Sequence, residues 1–270
     1  MSGDPSVSAD EDSAEGSPSL SGRSLAIISG AAAGIGLAVL RSFLERGWEC
    51  VALDIDSAAL GRIETGTHEA AVHTIAVDLV LDDAVVAQQL LALTHSYENV
   101  TLVNNVGGSR KGNVGLTGLS WDDAAETLAF NLKPTMRLTQ LAFPLLRAAK
   151  AGRIVNVSSA AGRTGKLDVA ADYAAAKGAL VAWSRQLVSE LASANVLINT
   201  VCPGIIGTER ILDRWQHRSA ADNSVVMSRI PLGRLGTPAE IAEVIYFLGS
   251  ASNTYMTGAV VDVNGGLFSP

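Results

Sequence analysis

Beyond residue 22 the chain alternates between short unbroken apolar runs and longer stretches with helical periodicity. The apolar runs fall near 25–29, 49–54, 73–77, 100–104, 153–158, 196–202 and 259–263 and are rich in Val, Ile and Leu. None alternates apolar with polar positions, which predicts strands buried on both faces, as in a parallel sheet. Helical patterns fall near 35–46, 82–95, 121–149, 172–193 and 238–249. Strand and helix alternate without interruption and the connections are short. The expected class is therefore α/β: one domain, a doubly wound sheet of about seven mostly parallel strands, with helices on both faces.

In such sheets ligands bind outside the carboxyl ends of the strands, and those ends carry the candidate chemistry. The first run ends in Ser29-Gly30, passes through Ala31, Ala32 and Ala33, and reaches Gly34-Ile35-Gly36 at the start of a helical pattern. A strand, a glycine turn and a helix N-terminus together make an anion site, with free N–H groups and the helix dipole aimed at a phosphate. The spacing is G-x-x-x-G-x-G and lacks the Lys-Ser/Thr pair of a nucleotide triphosphate loop. A ligand-free glycine turn would look the same locally. The second run then closes on Asp54. An acidic residue about 20 positions past the glycines suits the adenosine ribose hydroxyls of a Rossmann-type site and repels a 2′-phosphate. NAD is thus the expected cofactor, since no basic residue follows Asp54 before Arg62. The alternative for Asp54 is a helix cap, a job Asp56 or Ser57 could do instead.

Tyr173 and Lys177 lie four residues apart in an Ala-rich, proline-free stretch. That spacing stacks phenol and ammonium on one helical face. A lysine beside a tyrosine favours the phenolate, so the phenol is expected to have a lowered pKa suited to proton transfer. Ser158 and Ser159 end the strand just upstream, and a hydroxyl there could meet the Tyr/Lys face at one substrate oxygen.

These motifs, in this order, resemble the short-chain dehydrogenase/reductase family from about residue 23 to the end. Ser29-Gly30-x-x-x-Gly34-Ile35-Gly36 resembles its glycine loop, with Ser in place of Thr. The resemblance assigns Asp78, in Val77-Asp78-Leu79, to the adenine ring. It places Asn104-Asn105-Val106-Gly107 along the cofactor, with Val106 standing where Ala is usual. It makes Asn131 the holder of a relay water, and Ser159, Tyr173 and Lys177 the catalytic Ser, Tyr and Lys. Pro203-Gly204-Ile205-Ile206-Gly207-Thr208 would be the turn beside the nicotinamide, with Thr208 on its carboxamide. The segment from Ser159 to Tyr173 is about one residue longer than is common in the family, so Ser158 stays open as the alternative to Ser159. The expected cofactor contacts are thus Gly30, Ala33, Gly34, Ile35, Gly36, Asp54, Asp78, Leu79, Asn104, Val106, Tyr173, Lys177, Pro203, Gly204, Ile206 and Thr208. The implied activity is an oxidoreductase passing a hydride between NAD and a secondary alcohol or ketone. NADPH-dependent ketone reduction is the alternative, and a non-catalytic dinucleotide sensor the third reading.

Composition adds limits. The chain is 48% apolar and carries a formal net charge of −7, and Asp4, Asp10, Glu11, Asp12 and Glu15 supply five of those charges before the first basic residue, Arg23. Residues 1–22, acidic and rich in Ser and Gly, are expected to form a disordered tail, leaving 23–270 as the dinucleotide-binding and catalytic domain. The remainder is near neutral and has no basic stripe, so nucleic acid is not an expected partner. No apolar run is long enough for a membrane span, and no secretory signal is expected, because the first residues offer neither a basic nor an apolar stretch. Cys50 and Cys202 sit in strand-like runs and read as buried thiols, consistent with a cytoplasmic protein, and no spacing suggests a metal site. The helix from Tyr173 is so apolar that it is expected to be buried nearly all round, part of it by a neighbouring subunit, in a homo-oligomer and by family resemblance a homotetramer. Substrate recognition is expected in residues 107–121 and in 205–231, the latter predicted as a helical lid. Arg110, Lys111, Arg163, Lys166, Arg210 and Arg214 could receive a carboxylate or phosphate there, or be solvated surface cations. Trp215 could line an apolar pocket or pack the lid.

Overall fold

The computed structural model describes residues 22–63, 72–82, 84–93, 97–110, 112–165 and 167–269. The tail assigned to residues 1–22 lies outside these, Gly22 excepted, as do Lys111 and Lys166. Among the described residues seven strands form one parallel sheet in the order β3-β2-β1-β4-β5-β6-β7. They are β1 Ser24–Ser29, β2 Glu49–Asp54, β3 Val72–Ala76, β4 Asn99–Asn104, β5 Ala151–Val157, β6 Val196–Pro203 and β7 Val260–Val263. The order reverses between β1 and β4, whose backbones pair directly. That crevice is where a doubly wound sheet takes its ligand.

Alternate side chains of each strand go to opposite faces. Ala26 and Ile28 of β1 accordingly join one core, with α1 (Gly34–Leu44) and α10 (Pro238–Gly249). Leu25 and Ile27 join the other, with α3 (Ala84–Leu91), α5 (Trp121–Ala148) and α7 (Val188–Ser193). All four side chains are fully buried, which is why this strand reads as a continuous apolar run. Phe43, Trp48 and Tyr246 meet edge-on and lock α1 to α10, with Phe43 and Trp48 centroids 4.9 Å apart. Thr237 and Glu240 form a reciprocal capping box at the start of α10, fixing where that helix begins.

The predicted elements recur, with informative differences. β3 is an edge strand, and only Ile75 of its residues is buried, so burial on both faces fails there. The long predicted helix from 172 is divided at Leu187 into α6 (Ala171–Gln186) and α7. Nor is α6 enclosed all round within the chain. Ala176, Leu180, Val181 and Ser184 are buried, whereas Ala175 and Ala182 are exposed. A helix lying on a sheet covers one stripe, so the small residues opposite have no cover from this chain. The region after β6 folds into α8 (Glu209–Gln216) and α9 (Ala220–Ser228), as a helical lid requires. The short helix α2 (Ser57–Leu60) is capped by Asp56, one of the two residues offered for that job, which accepts from the Ala59 N–H at 2.8 Å, whereas α4 (Gly115–Gly118) was not foreseen.

Candidate active site

Above the carboxyl ends of the strands lies a cavity of about 1350 Å³. Its floor includes Gly30, Ala33, Gly34 and Ile35 from the turn between β1 and α1, Asp54 from β2, and Asp78 and Leu79 after β3. Val106 after β4, Ser158 and Ser159 after β5, Tyr173 and Lys177 of α6, and Pro203, Gly204, Ile206 and Thr208 after β6 complete one end. Most residues singled out in the sequence therefore converge on one volume.

The glycine turn is held from behind. Asn105 donates its side-chain amide to the carbonyls of Ser29 and Gly30, each at 3.1 Å, and its backbone N–H to Ser29 Oγ at 3.0 Å. Gly36 does not line the cavity. A β-carbon there would lie 1.8 Å from the Gly30 carbonyl oxygen, so its role is to let the helix start press against the turn. The N-cap of α1, Ala33, has no side chain that satisfies the first N–H groups, and no acidic residue occupies the first turn. The anion-seeking end of the helix is left open toward the cavity. Asp54 accepts from the N–H of Ala32 at 3.0 Å and of Asp56 at 3.1 Å, fixing its carboxylate at the cavity edge.

Asn104 is placed differently from the expectation. Its amide nitrogen donates to Thr139 Oγ1 at 3.0 Å and Asn156 Oδ1 at 2.8 Å, it is buried, and it does not line the cavity. The side chain bridges β4 to α5 and β5, while Asn105 faces the turn. The reason is strand alternation: neighbouring positions point opposite ways, and a two-residue Asn-Asn motif cannot say which one faces the ligand.

Asn131 on α5 is fully buried and also lies behind the cavity wall. Its Oδ1 accepts from the Gly108 N–H at 2.9 Å, and its Nδ2 donates to the carbonyls of Gly108 at 3.0 Å and Thr127 at 2.9 Å. Only glycine fits at 107, where a β-carbon would stand 2.6 Å from Asn131 Oδ1 and 2.8 Å from Lys177 Nζ. The asparagine and the lysine thus approach each other across bare backbone. Lys177 donates from Nζ to the Val157 carbonyl at 3.0 Å and is 3% exposed. Burial lowers its pKa to about 8.

The two serines divide their work. Ser158 donates to the Lys177 carbonyl at 2.8 Å, tying β5 to α6. Ser159 caps a single helical turn, Ala160–Gly162, by accepting from the Ala161 N–H at 3.1 Å, and its side chain stands beside the Tyr173 hydroxyl. Tyr173 departs from expectation in one respect. Burial holds the phenol above its ordinary pKa, opposed by the Ser159 hydrogen bond and the positive field of Arg210. The depressed value expected from Lys177 is not found, because desolvation of a buried phenol outweighs these favourable contacts.

The candidate substrate cations also sort. Arg163 is paired with Asp262 at 3.0 Å, lies over the Phe268 ring and is not part of the cavity. Arg110 lines the cavity but is paired with Glu126 at 2.5 Å and stacked on Phe130. Arg210, Arg214 and Trp215 line it from α8. Asn105 and Gly107, part of the motif placed along the cofactor though not named as individual contacts, also line it, as do Gly108, which follows that motif, and Val169, which lies in a loop with no pattern to read. Cys50 and Cys202 are unpaired and buried. Among the described residues no cluster of His, Cys, Asp or Glu could hold a metal, and no helix is long and apolar enough to cross a membrane.

Comparison with known proteins agrees with this architecture. Residues 30–268 match the family described as enoyl-(acyl carrier protein) reductase. The chain is 32% identical over 244 residues to the 3-oxoacyl-(acyl-carrier-protein) reductase FabG of Thermotoga maritima, covering 89% of this chain and 96% of that one. A short chain dehydrogenase/reductase family oxidoreductase from Burkholderia thailandensis superposes with a TM-score of 0.80 at 30% identity, covering 91% of this chain and 92% of that one. A 3-oxoacyl-(acyl-carrier protein) reductase from Brucella melitensis, solved with bound NAD, gives 0.79 at 30% identity over 96% of this chain and 99% of that one. Sheet order, glycine turn and sequence likeness over nearly the whole folded region converge: this chain is an oxidoreductase belonging to the short-chain dehydrogenase/reductase family.

Proposed function

We propose that the enzyme interconverts a secondary alcohol and a ketone with NAD, using Ser159, Tyr173, Lys177 and Asn131. The observation that carries this reading is that Tyr173, Ser159 and Lys177 line the same cavity as the glycine turn. The residues fit a dinucleotide: the turn lacks side chains where a pyrophosphate must approach, and the N–H groups of α1 are uncapped. Bound nicotinamide would supply or accept the hydride. Ser159 orients the substrate oxygen and steadies its developing charge. Tyr173 gives its hydroxyl proton to that oxygen in reduction and takes it in oxidation. Lys177 would contact the ribose and pass protons toward water held at Asn131. Thr208 would secure the carboxamide and Asp78 the adenine.

NAD is preferred because the Asp54 carboxylate, fixed by two backbone N–H groups at the cavity edge, would bond ribose hydroxyls and repel a 2′-phosphate. NADPH-dependent ketone reduction is the second reading, favoured by the reductase names of the relatives and opposed by Asp54. The exposed Ala175 and Ala182 of α6, and a shallow groove on α5 lined by Leu128, Leu132 and Met136, support assembly into a homo-oligomer, for which a tetramer is proposed. The unpaired thiols suit the cytoplasm.

Tyr173→Phe tests the assignment. NADH binding, read by fluorescence, should persist while turnover of a panel of secondary alcohols and ketones falls by about 10²–10⁴-fold. Near-normal turnover would remove Tyr173 from the chemistry. Comparing kcat/KM for NAD and NADP in the native enzyme decides the role of Asp54, and an NADP preference would overturn it.

A further inference from the structure

The lid carries a charged group that the proposed proton relay does not use. Arg210 lies in the first turn of α8 and lines the cavity. Its guanidinium rests over Gly108, so that a β-carbon at Gly108 would sit 2.9 Å from Nη1 and 3.4 Å from Nη2. Gly108 is in turn bonded on both backbone atoms to Asn131. The positive field of Arg210 reaches both Tyr173 and Lys177. It is thus a cation at the reacting end of the cavity.

Of the carboxylates that line the cavity, Glu126 pairs with Arg110, Asp168 accepts from Asn113, and Asp213 lies 3.7 Å from His217; among the described residues none of them pairs with Arg210. Glu209 also lines the cavity beside Arg210, but forms no ion pair with it among the described residues. Arg214, one turn further along α8, lines the same wall, and among the described residues neither it nor Arg210 makes an ion pair. A guanidinium fork held close to the reaction centre without a carboxylate partner matches the geometry of a ligand's oxyanion.

We infer that Arg210 is a specificity residue that receives an anionic oxygen group, a carboxylate or a phosphate ester, a few bonds from the reacting carbon of the substrate. Arg214 stands behind it for longer substrates. The inference rests on the hydride-transfer reading and narrows its substrate class to oxo or hydroxy compounds carrying a negative charge.

The test uses the full chain in matched pairs. The NADH complex is titrated with, and assayed on, pyruvate, 3-oxobutanoate and 4-oxopentanoate against their methyl esters, and hydroxyacetone phosphate against hydroxyacetone. The native enzyme should favour the charged member of at least one pair by about tenfold or more, and the preferred pair separates carboxylate from phosphate. Arg210→Met should collapse that ratio toward one, and Arg210→Lys should restore part of it. NADH uptake without charge preference in any pair overturns the inference, as does an unchanged ratio in Arg210→Met. Loss of NADH affinity in Arg210→Met also overturns it, reassigning the guanidinium to the dinucleotide. Failure of the native chain to take up NADH would instead bring down the underlying reading.

Discussion

Lys177 is an ammonium left only 3% exposed by the fold, and its ionisation should be visible in the stability of the whole protein. Burial lowers its pKa from 10.5 to about 8. Between those values the unfolded chain binds more protons than the folded one, so this group makes stability rise with pH. Its contribution is nearly flat below pH 7, climbs through pH 8, and levels off above 10.5. From pH 7 to pH 9 the gain is about 1.4 kcal/mol, because the folded lysine gives up its proton and the unfolded lysine still keeps it. Burial of Cys202 pushes its thiol up to about 11, and the Cys50 thiol is also raised. Raised thiols act in the opposite sense, losing stability as pH passes 9. Both are present in native protein and variant, so the part of their titration that does not depend on Lys177 cancels in a difference. Urea unfolding of the native protein and Lys177→Met at pH 7, 8 and 9, at one protein concentration and without dinucleotide, isolates the term. The native-minus-variant difference should grow by about 1.4 kcal/mol between the end points. A difference that stays constant, or shrinks, would refute the claim that Lys177 is desolvated in the folded protein.

Two other substitutions probe the frame. Gly36→Ala places a β-carbon against the Gly30 carbonyl and should cost about 1–3 kcal/mol by overpacking, with NADH affinity falling more than tenfold by the order-of-magnitude relation between energy and binding; unchanged melting and binding would contradict the close approach. Asp262→Asn breaks the partly buried pair with Arg163, the link between the loop after Ser159 and β7. Thermal unfolding should show a loss of about 1–3 kcal/mol, and a loss below about 0.3 kcal/mol would mean the pair is an ordinary solvated contact.

The chain's own pattern determined a good deal. The buried runs of β1 and β4 and the glycine turn are legible because parallel strands and tight turns constrain residue type locally, position by position. Tyr173 and Lys177 share a face because helical spacing requires it. Other features depended on which way a side chain turns in three dimensions. Asn104 and Asn105 are adjacent and chemically identical, yet one bridges strands while the other holds the glycine turn. Ser158 and Ser159 divide in the same way between α6 and Tyr173. Of the cations set out in sequence, Arg163 found Asp262, 99 positions away, and Arg110 found Glu126, while Arg210 came to rest over Gly108. The phenol's raised pKa has the same origin, since it depends on desolvation by residues remote in the chain. Local geometry is encoded by neighbours in sequence and could be read there. Pairing, burial and the direction of each polar group are set by neighbours in space, and only the tertiary structure decided them.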